Sequence, residues 1–207
     1  MIINKKIHEV EISNLEKINK FFLNQNLNND ILIIDQNLKS NKYIKKLINK
    51  FGSRCLMLKG QEKIKSLDNY CIFIEKILKI GIQRKSKLIS IGGGTIGDFA
   101  GFLASSLLRG IDHYMVPSSL LAMVDSSIGG KTGLNSKLGK NLIGSFYLPK
   151  KVIICHELLD TLPNRELSCG FAEIIKYSLI KPNNFKNKLF KYDLNNKAEI
   201  IPIINYS

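Results

Sequence analysis

Tryptophan is absent, there are only three histidines and five prolines, and aromatic residues make up 8% of the 207. Without tryptophan, and without aromatic residues interleaved with arginine, the chain lacks the stacking platform of a single-stranded nucleic-acid binder. The four cysteines, Cys55, Cys71, Cys155 and Cys169, are widely scattered and form no C-x-x-C pair. They read as reduced, mostly buried thiols rather than a disulfide frame, which points to a reducing compartment. No apolar run approaches the roughly 18 to 20 residues that span a bilayer. The opening residues, MIINKKIH, show no apolar stretch followed by a small-residue cleavage site. No secretory signal is read there, and the expected location is the cytoplasm.

Acidic residues are scarce. Lysine and arginine number 31 against 17 acids, a formal net charge of +14. The lysines are spread through Asn- and Ile-rich sequence from end to end, as solvated faces would be. Attraction of an anionic small substrate is the second reading of that excess, and a nucleic-acid stripe is the weakest. A hydrophobic content of 44% is enough for a real core, as one large or two small domains.

Short apolar runs alternate with helical patterns. Ile31-Leu-Ile-Ile34, Arg54-Cys-Leu-Met-Leu58 and Leu88-Ile-Ser-Ile91 read as buried strands, as do His113-Tyr-Met-Val116 and Val152-Ile-Ile-Cys155. Helical spacing over 38–51 predicts one helix between the first two. Ser66 is placed to cap a second, and Gly81 to stop it. Repeated β-α-β order gives a Rossmann-like, mostly parallel α/β sheet with helices on both faces. After Pro163 the chain reads as helix, with Asn164 as cap and Lys181-Pro182 as the break. The predicted division is an α/β domain over 1–163 and the start of an α-helical domain over 164–207.

Three glycine-rich segments carry the chemistry. GGGTIGD at 92–98 follows a strand and opens a helix, an arrangement suited to a pyrophosphate, because glycines let the backbone approach and helix-start N–H groups face the charge. A plain tight turn with close packing is the alternative. The segment at 124–135, VDSSIGGKTGLN, and GKNLIG at 139–144 set an acid, two lysines and two asparagines on what reads as a tight, backbone-exposed turn holding something anionic. Gly130-Lys131-Thr132 has the ending of a phosphate-binding P-loop. However, Asp125 occupies the position of that loop's first glycine, where a carboxylate would repel a triphosphate.

Four segments in this order, 92–110 (GGGTIGDFAGFLASSLLRG), 116–135 (VPSSLLAMVDSSIGGKTGLN), 139–149 (GKNLIGSFYLP) and 161–179 (TLPNRELSCGFAEIIKYSL), resemble the 3-dehydroquinate synthase family of sugar phosphate cyclases. The resemblance implies a lyase that converts 3-deoxy-D-arabino-heptulosonate 7-phosphate to 3-dehydroquinate in the shikimate pathway. That reaction uses NAD catalytically with one divalent metal, zinc or cobalt. It implies adenosine-side contacts at Asp35, Glu62 and Lys65, and a pyrophosphate loop of Gly94, Thr95, Ile96, Gly97 and Asp98. Hydroxyl donors follow at Ser118 and Ser119. Lys140 and the run Leu158, Leu159, Asp160 and Thr161 fall at the nicotinamide end. Asp125, Lys131, Asn141 and Lys176 resemble substrate contacts, with Lys131 shared with the cofactor. Arg109 resembles a residue that reaches the phosphate of a neighbouring subunit, as a homodimer would require.

Glu173 matches the family's one carboxylate metal ligand. Read without the resemblance, Glu173 and Lys176 are an i,i+3 ion pair on a helix face. The family's other two ligands are histidines later in its sequence, whereas His8, His113 and His156 all precede Glu173. They read as structural or surface histidines. One carboxylate does not hold a catalytic zinc, which takes about three protein ligands. The expectation is therefore a C-terminally truncated member, inactive alone. The alternatives are an NAD-binding remnant, a half-enzyme needing a separate C-terminal chain, or another sugar phosphate cyclase. The helix after Pro163 is expected to expose an apolar face on Phe171, Ile174 and Ile175.

Overall fold

The computed structural model describes residues 9–24 and 27–180, together with Leu189, Ile200 and Ile204. Strands β1 (Glu9–Ser13), β2 (Ile31–Asp35), β3 (Cys55–Leu58), β4 (Lys87–Gly92), β5 (Asp112–Pro117) and β8 (Lys151–Cys155) form a six-stranded sheet. Its order is β1-β8-β5-β4-β2-β3, and every pairing is parallel. A separate antiparallel pair joins β6 (Lys131–Ser136) to β7 (Gly139–Phe146).

The two sides of the sheet follow from alternation along its strands. Leu32 and Ile34 of β2 face one core, which also holds Leu15, Ile18 and Phe22 of α1 (Leu15–Leu23) and Ile44, Leu47 and Phe51 of α2 (Lys42–Phe51). Ile31 and Ile33 face the other, with Ile77 of α3 (Leu67–Ile80), Phe99 and Leu103 of α4 (Gly94–Ser106), and Leu134 of β6. Strand residues i and i+2 share a face, so this apolar run serves both layers, as a doubly covered parallel strand must.

Helix ends follow local chemistry. Asn41 accepts from the N–H of Tyr43 and Ile44 at 3.0 and 3.3 Å, so α2 begins at Lys42 and not at 38. Ahead of it lies only a short turn, Gln36–Leu38. Ser66 caps α3 by accepting from Asn69 N at 3.2 Å, and Gly81 ends it with φ 86°. The Lys181-Pro182 break lies outside the described residues.

Two expectations are corrected. The segment 124–135 with 139–144 is not one tight turn. Asp125 sits on a wide helical turn, Ala122–Ser126, and 131–146 is a hairpin whose strands approach closely at Gly133 and Gly144. The final helix, α5 (Asn164–Ile180), buries Phe171 and Ile174, at 8% and 0% exposed, against the core shared with α1 and α2. Of the three residues expected to form an exposed face, only Ile175 is exposed. Leu120 packs so tightly on Gly170 that a side chain there would collide with it, and that contact seats α5 against the segment that follows β5. No described helix is long and apolar enough to cross a membrane.

Candidate active site

In an open parallel sheet, ligands meet the carboxyl ends of the strands where the winding reverses. Here β2 is followed outward by β3, and the chain then returns to place β4 on the other side of β2. The loop after β4 lies at this switch point. It is shorter than the sequence suggested: Gly93 is the extended cap residue and α4 begins at Gly94, so Thr95, Ile96, Gly97 and Asp98 belong to the first turns of the helix. No side chain caps this end. A Cβ on Gly94 would stand 3.0 Å from Ser126 Oγ, and one on Gly93 would stand 3.3 Å from Ser119 Oγ. The glycines therefore keep a hydroxyl-lined cradle open above uncapped N–H groups, which is the donor set an anionic diphosphate needs.

Beside the cradle lies a cleft of about 470 Å³, lined by residues that include Asp98, Asp125, Ser126, Lys131, Thr132 and Asn141. Two polar groups meet there. In the first, Lys65 is buried and its ammonium donates to Asp98 Oδ2 at 2.7 Å and to the Asn141 side-chain oxygen, with Glu62 Oε1 at 3.8 Å. Burial raises the Asp98 carboxyl above its ordinary 3.8, and the hydrogen bond and charge of Lys65 oppose that rise. In the second, Tyr177 donates to Asp125 Oδ1 at 2.6 Å, while Glu173 pairs with Lys176 on the same helix. The bond to Asp125, and then burial, push the Tyr177 phenol well up, so it stays a proton donor near neutrality.

The remaining expected residues divide. Asp35 ends β2, accepts from Asn37 N at 3.0 Å and lies against Gly60, where any side chain would collide with its carboxylate. Ser118 N donates to Gly92 O at 2.9 Å, and Ser119 Oγ accepts from Ala122 N at 3.4 Å, so both belong to the cradle. Lys140 is exposed next to Asn141. Leu158 and Leu159 are buried core side chains. Asp160 and Thr161 are exposed and line, with Leu158, a separate cleft beside Asn37 and Lys42. Ile96 is fully buried, leaving only its backbone for a ligand. Arg109 is exposed with φ 70° beyond the far end of α4, about 20 Å from the cradle at 1.5 Å per residue.

Sequence reasoning overlooked Ser126 and Thr132, which line the cleft, and Tyr177 and Asn135, which bond to its residues Asp125 and Asn141. All four sit inside the segments that carry the family resemblance. Spacing alone does not say which way a side chain turns on an irregular hairpin (Thr132, Asn135), on a wide helical turn (Ser126) or on a helix whose packing partner is unknown (Tyr177). Among the described residues no three His, Cys, Asp or Glu side chains gather as a metal site. Glu173 offers one carboxylate, already paired with Lys176. The described residues fit the diphosphate cradle and do not complete a metal-binding set.

The sheet, the glycine-opened helix at its switch point and the polar cleft beside it define a Rossmann-like α/β protein with an anion cradle. The chain belongs to the 3-dehydroquinate synthase family, whose N-terminal model matches residues 55–169, more than half of the sequence. A 3-dehydroquinate synthase from Leptospira interrogans is 41% identical over 179 residues, covering 84% of this chain and 49% of that protein. One from Alkaliphilus metalliredigens is 53% identical over 130 residues, 63% of this chain and 36% of that protein. A crystal structure of 2-deoxy-scyllo-inosose synthase, complexed with carbaglucose-6-phosphate, NAD+ and Co2+, superposes with TM-score 0.72. It is 27% identical and covers 84% of this chain and 49% of that one. The chain spans about half the length of the Leptospira relative.

Proposed function

We propose that this chain carries the NAD-binding part of a 3-dehydroquinate synthase, and that the cleft beside α4 takes the sugar phosphate. The observation that carries this reading is the convergence of Asp98, Asp125, Lys131 and Asn141 on one cleft beside an uncapped, glycine-opened helix start. Identities of 41% and 53% to 3-dehydroquinate synthases, against 27% to 2-deoxy-scyllo-inosose synthase, favour the first chemistry over another sugar phosphate cyclase.

In this reading the α4 N–H groups and the Ser118 and Ser119 hydroxyls hold the cofactor diphosphate, Glu62 and Lys65 face its adenosine side, and Asp98 orients it. NAD supplies a hydride acceptor that returns the hydride later in the cycle. Lys131 and Asn141 hold the anionic substrate where phosphate leaves. Asp125, kept in place by Tyr177, stands as an acceptor for a substrate hydroxyl. Arg109, on the far side of α4, serves the site of a second copy in a homodimer. Glu173 is a candidate for one metal ligand. In the same reading the domain change is set at Pro163, after the last sheet strand, with Phe171 and Ile174 of α5 anchoring the second part to the sheet's core.

Calorimetry with NAD tests the cradle. The parent chain should bind, and Asp98→Ala should weaken binding by about 5- to 20-fold, the loss of one charged hydrogen-bonding group. No heat of NAD binding by the folded parent would remove the reading.

A further inference from the structure

The hairpin contains an irregularity with a residue built into it. Leu134 pairs with Ile143 and Ser136 with Gly139, so Asn135 alone faces the three residues 140–142. Asn141 sits inside that gap at φ 57°, a left-handed conformation that asparagine tolerates better than most residues. Asn135 fills the gap with its own polar groups. Its Oδ1 accepts from Asn141 N at 2.9 Å, and its Nδ2 donates to Glu62 Oε1 at 2.9 Å. Its backbone N donates to Lys65 O at 2.6 Å. One residue thus touches the carboxylate on the turn Glu62–Ile64, the main chain of Lys65 and the amide that sets the Asn141 bend.

We propose that Asn135 is a positioning residue, bracing Glu62 and Lys65 against Asn141 so that the cofactor side and the substrate side of the cleft keep a fixed relation. The proposal rests on the functional reading above for the identity of those two sides. Asn135 does not line the cleft and acts through its neighbours. Both ends of its amide matter: the oxygen holds the bend and the nitrogen orients the carboxylate. Glu62 and Asn141 each have one side-chain or backbone group committed to it, so removing the amide frees both at once.

Four variants of the whole chain test this: Asn135→Ala, Asn135→Asp, Glu62→Gln, and Asn135→Asp combined with Glu62→Gln, each change at Asn135 being compared with its own parent. Asn135→Asp keeps the acceptor for Asn141 N but sets an oxygen against the Glu62 carboxylate. In the Glu62→Gln background the side-chain amide can donate to that oxygen, and the contact is restored with its polarity reversed. Amide hydrogen exchange at Asn141 should accelerate about tenfold or more in Asn135→Ala while exchange in the parallel sheet is unchanged. NAD affinity should fall about tenfold on Asn135→Asp in the parent and less than about twofold in the Glu62→Gln background, since neighbours in one network do not add. Unchanged exchange at Asn141, or equal losses in both backgrounds, overturns the proposal. A merely stabilising role would lower unfolding midpoints in both backgrounds alike and leave no difference between them. If the parent takes up no NAD, the functional reading falls, while exchange at Asn141 still decides whether Asn135 holds the bend.

Discussion

At the scale of single residues, burial decides what each titratable group can do. His113 is fully buried, with Nε2 2.8 Å from Ser90 Oγ, and burial lowers its pKa from 6.5 to about 4. A histidine whose folded pKa lies below its unfolded value stabilises the fold fully above the unfolded pKa and less as pH falls through the window between them. Unfolding in urea should therefore show a loss of about 2 kcal/mol between pH 7.5 and 5, approaching about 3 kcal/mol near pH 4. Asp30 and Asp98, raised chiefly by burial, act in the opposite sense as pH falls through their folded values toward 3.8. His113→Gln should flatten the neutral-to-acid slope, and a slope equal to the parent's would assign it to another group. From sequence, His113 in its strand pattern reads as structural or surface, and its burial decides for the first. Its bond to Ser90 needed the β4–β5 register, which no local pattern contains.

At the scale of elements, five of the six sheet strands were legible because apolar runs between turn residues leave little alternative, and α3 because serine caps it and glycine ends it. Strand β1, where Val10 and Ile12 alternate with glutamates, and α1 were not read, and α2 was read from residue 38 because the Asn41 cap was not recognised. Nor was the hairpin β6–β7 legible. Its strands are rich in glycine and lysine, with weak alternation, and read as a turn. Their pairing is set instead by how closely two backbones can approach. A methyl on Gly133 would lie 2.6 Å from the Ile143 carbonyl oxygen, a backbone atom that cannot step aside alone. Gly133→Ala should accordingly destabilise the fold by about 1–3 kcal/mol, the usual cost of overpacking, and loosen amides of β6 and β7 before those of the sheet. Equal protection of the hairpin in variant and parent would show that the close approach is unimportant. The candidate site was legible as segments for the same reason that the hairpin was not. Glycine-bounded motifs name the residues, while only the fold shows that Lys65 joins Asp98 to Asn141 and that Leu158 and Leu159 turn inward.

At the scale of the whole molecule, the charge excess acts at a distance. A net +14, with Lys131 and Lys140 exposed in and beside the cleft, produces a field that draws anions toward the switch point. Stopped-flow mixing with NADH should show association slowing several-fold as ionic strength rises from about 0.02 to 0.2 M, where the Debye length drops below about 10 Å. A rate indifferent to salt would mean the lysines are only a solubilising coat. α5 also changes meaning at this scale. Its burial of Phe171 and Ile174 joins it to the sheet's own core, while Leu179 and Ile180 remain 65% and 68% exposed.

The edge strand β1 pairs with β8, and the Lys151 side chain reaches Glu9 across 142 residues of sequence. Its partner leaves the ribosome long after it does. At roughly 5–20 residues per second the wait is about 7 to 30 s. For that interval Val10 and Ile12 have no neighbouring strand, and β5 lacks the neighbour that separates it from β1. Strands β2 and β4, and β3 at the opposite edge, can pair far sooner, so assembly of this sheet is expected to proceed outward from its switch point and finish at its N-terminal edge. A nascent chain halted before Lys151 would hold the glycine cradle without the border that frames it.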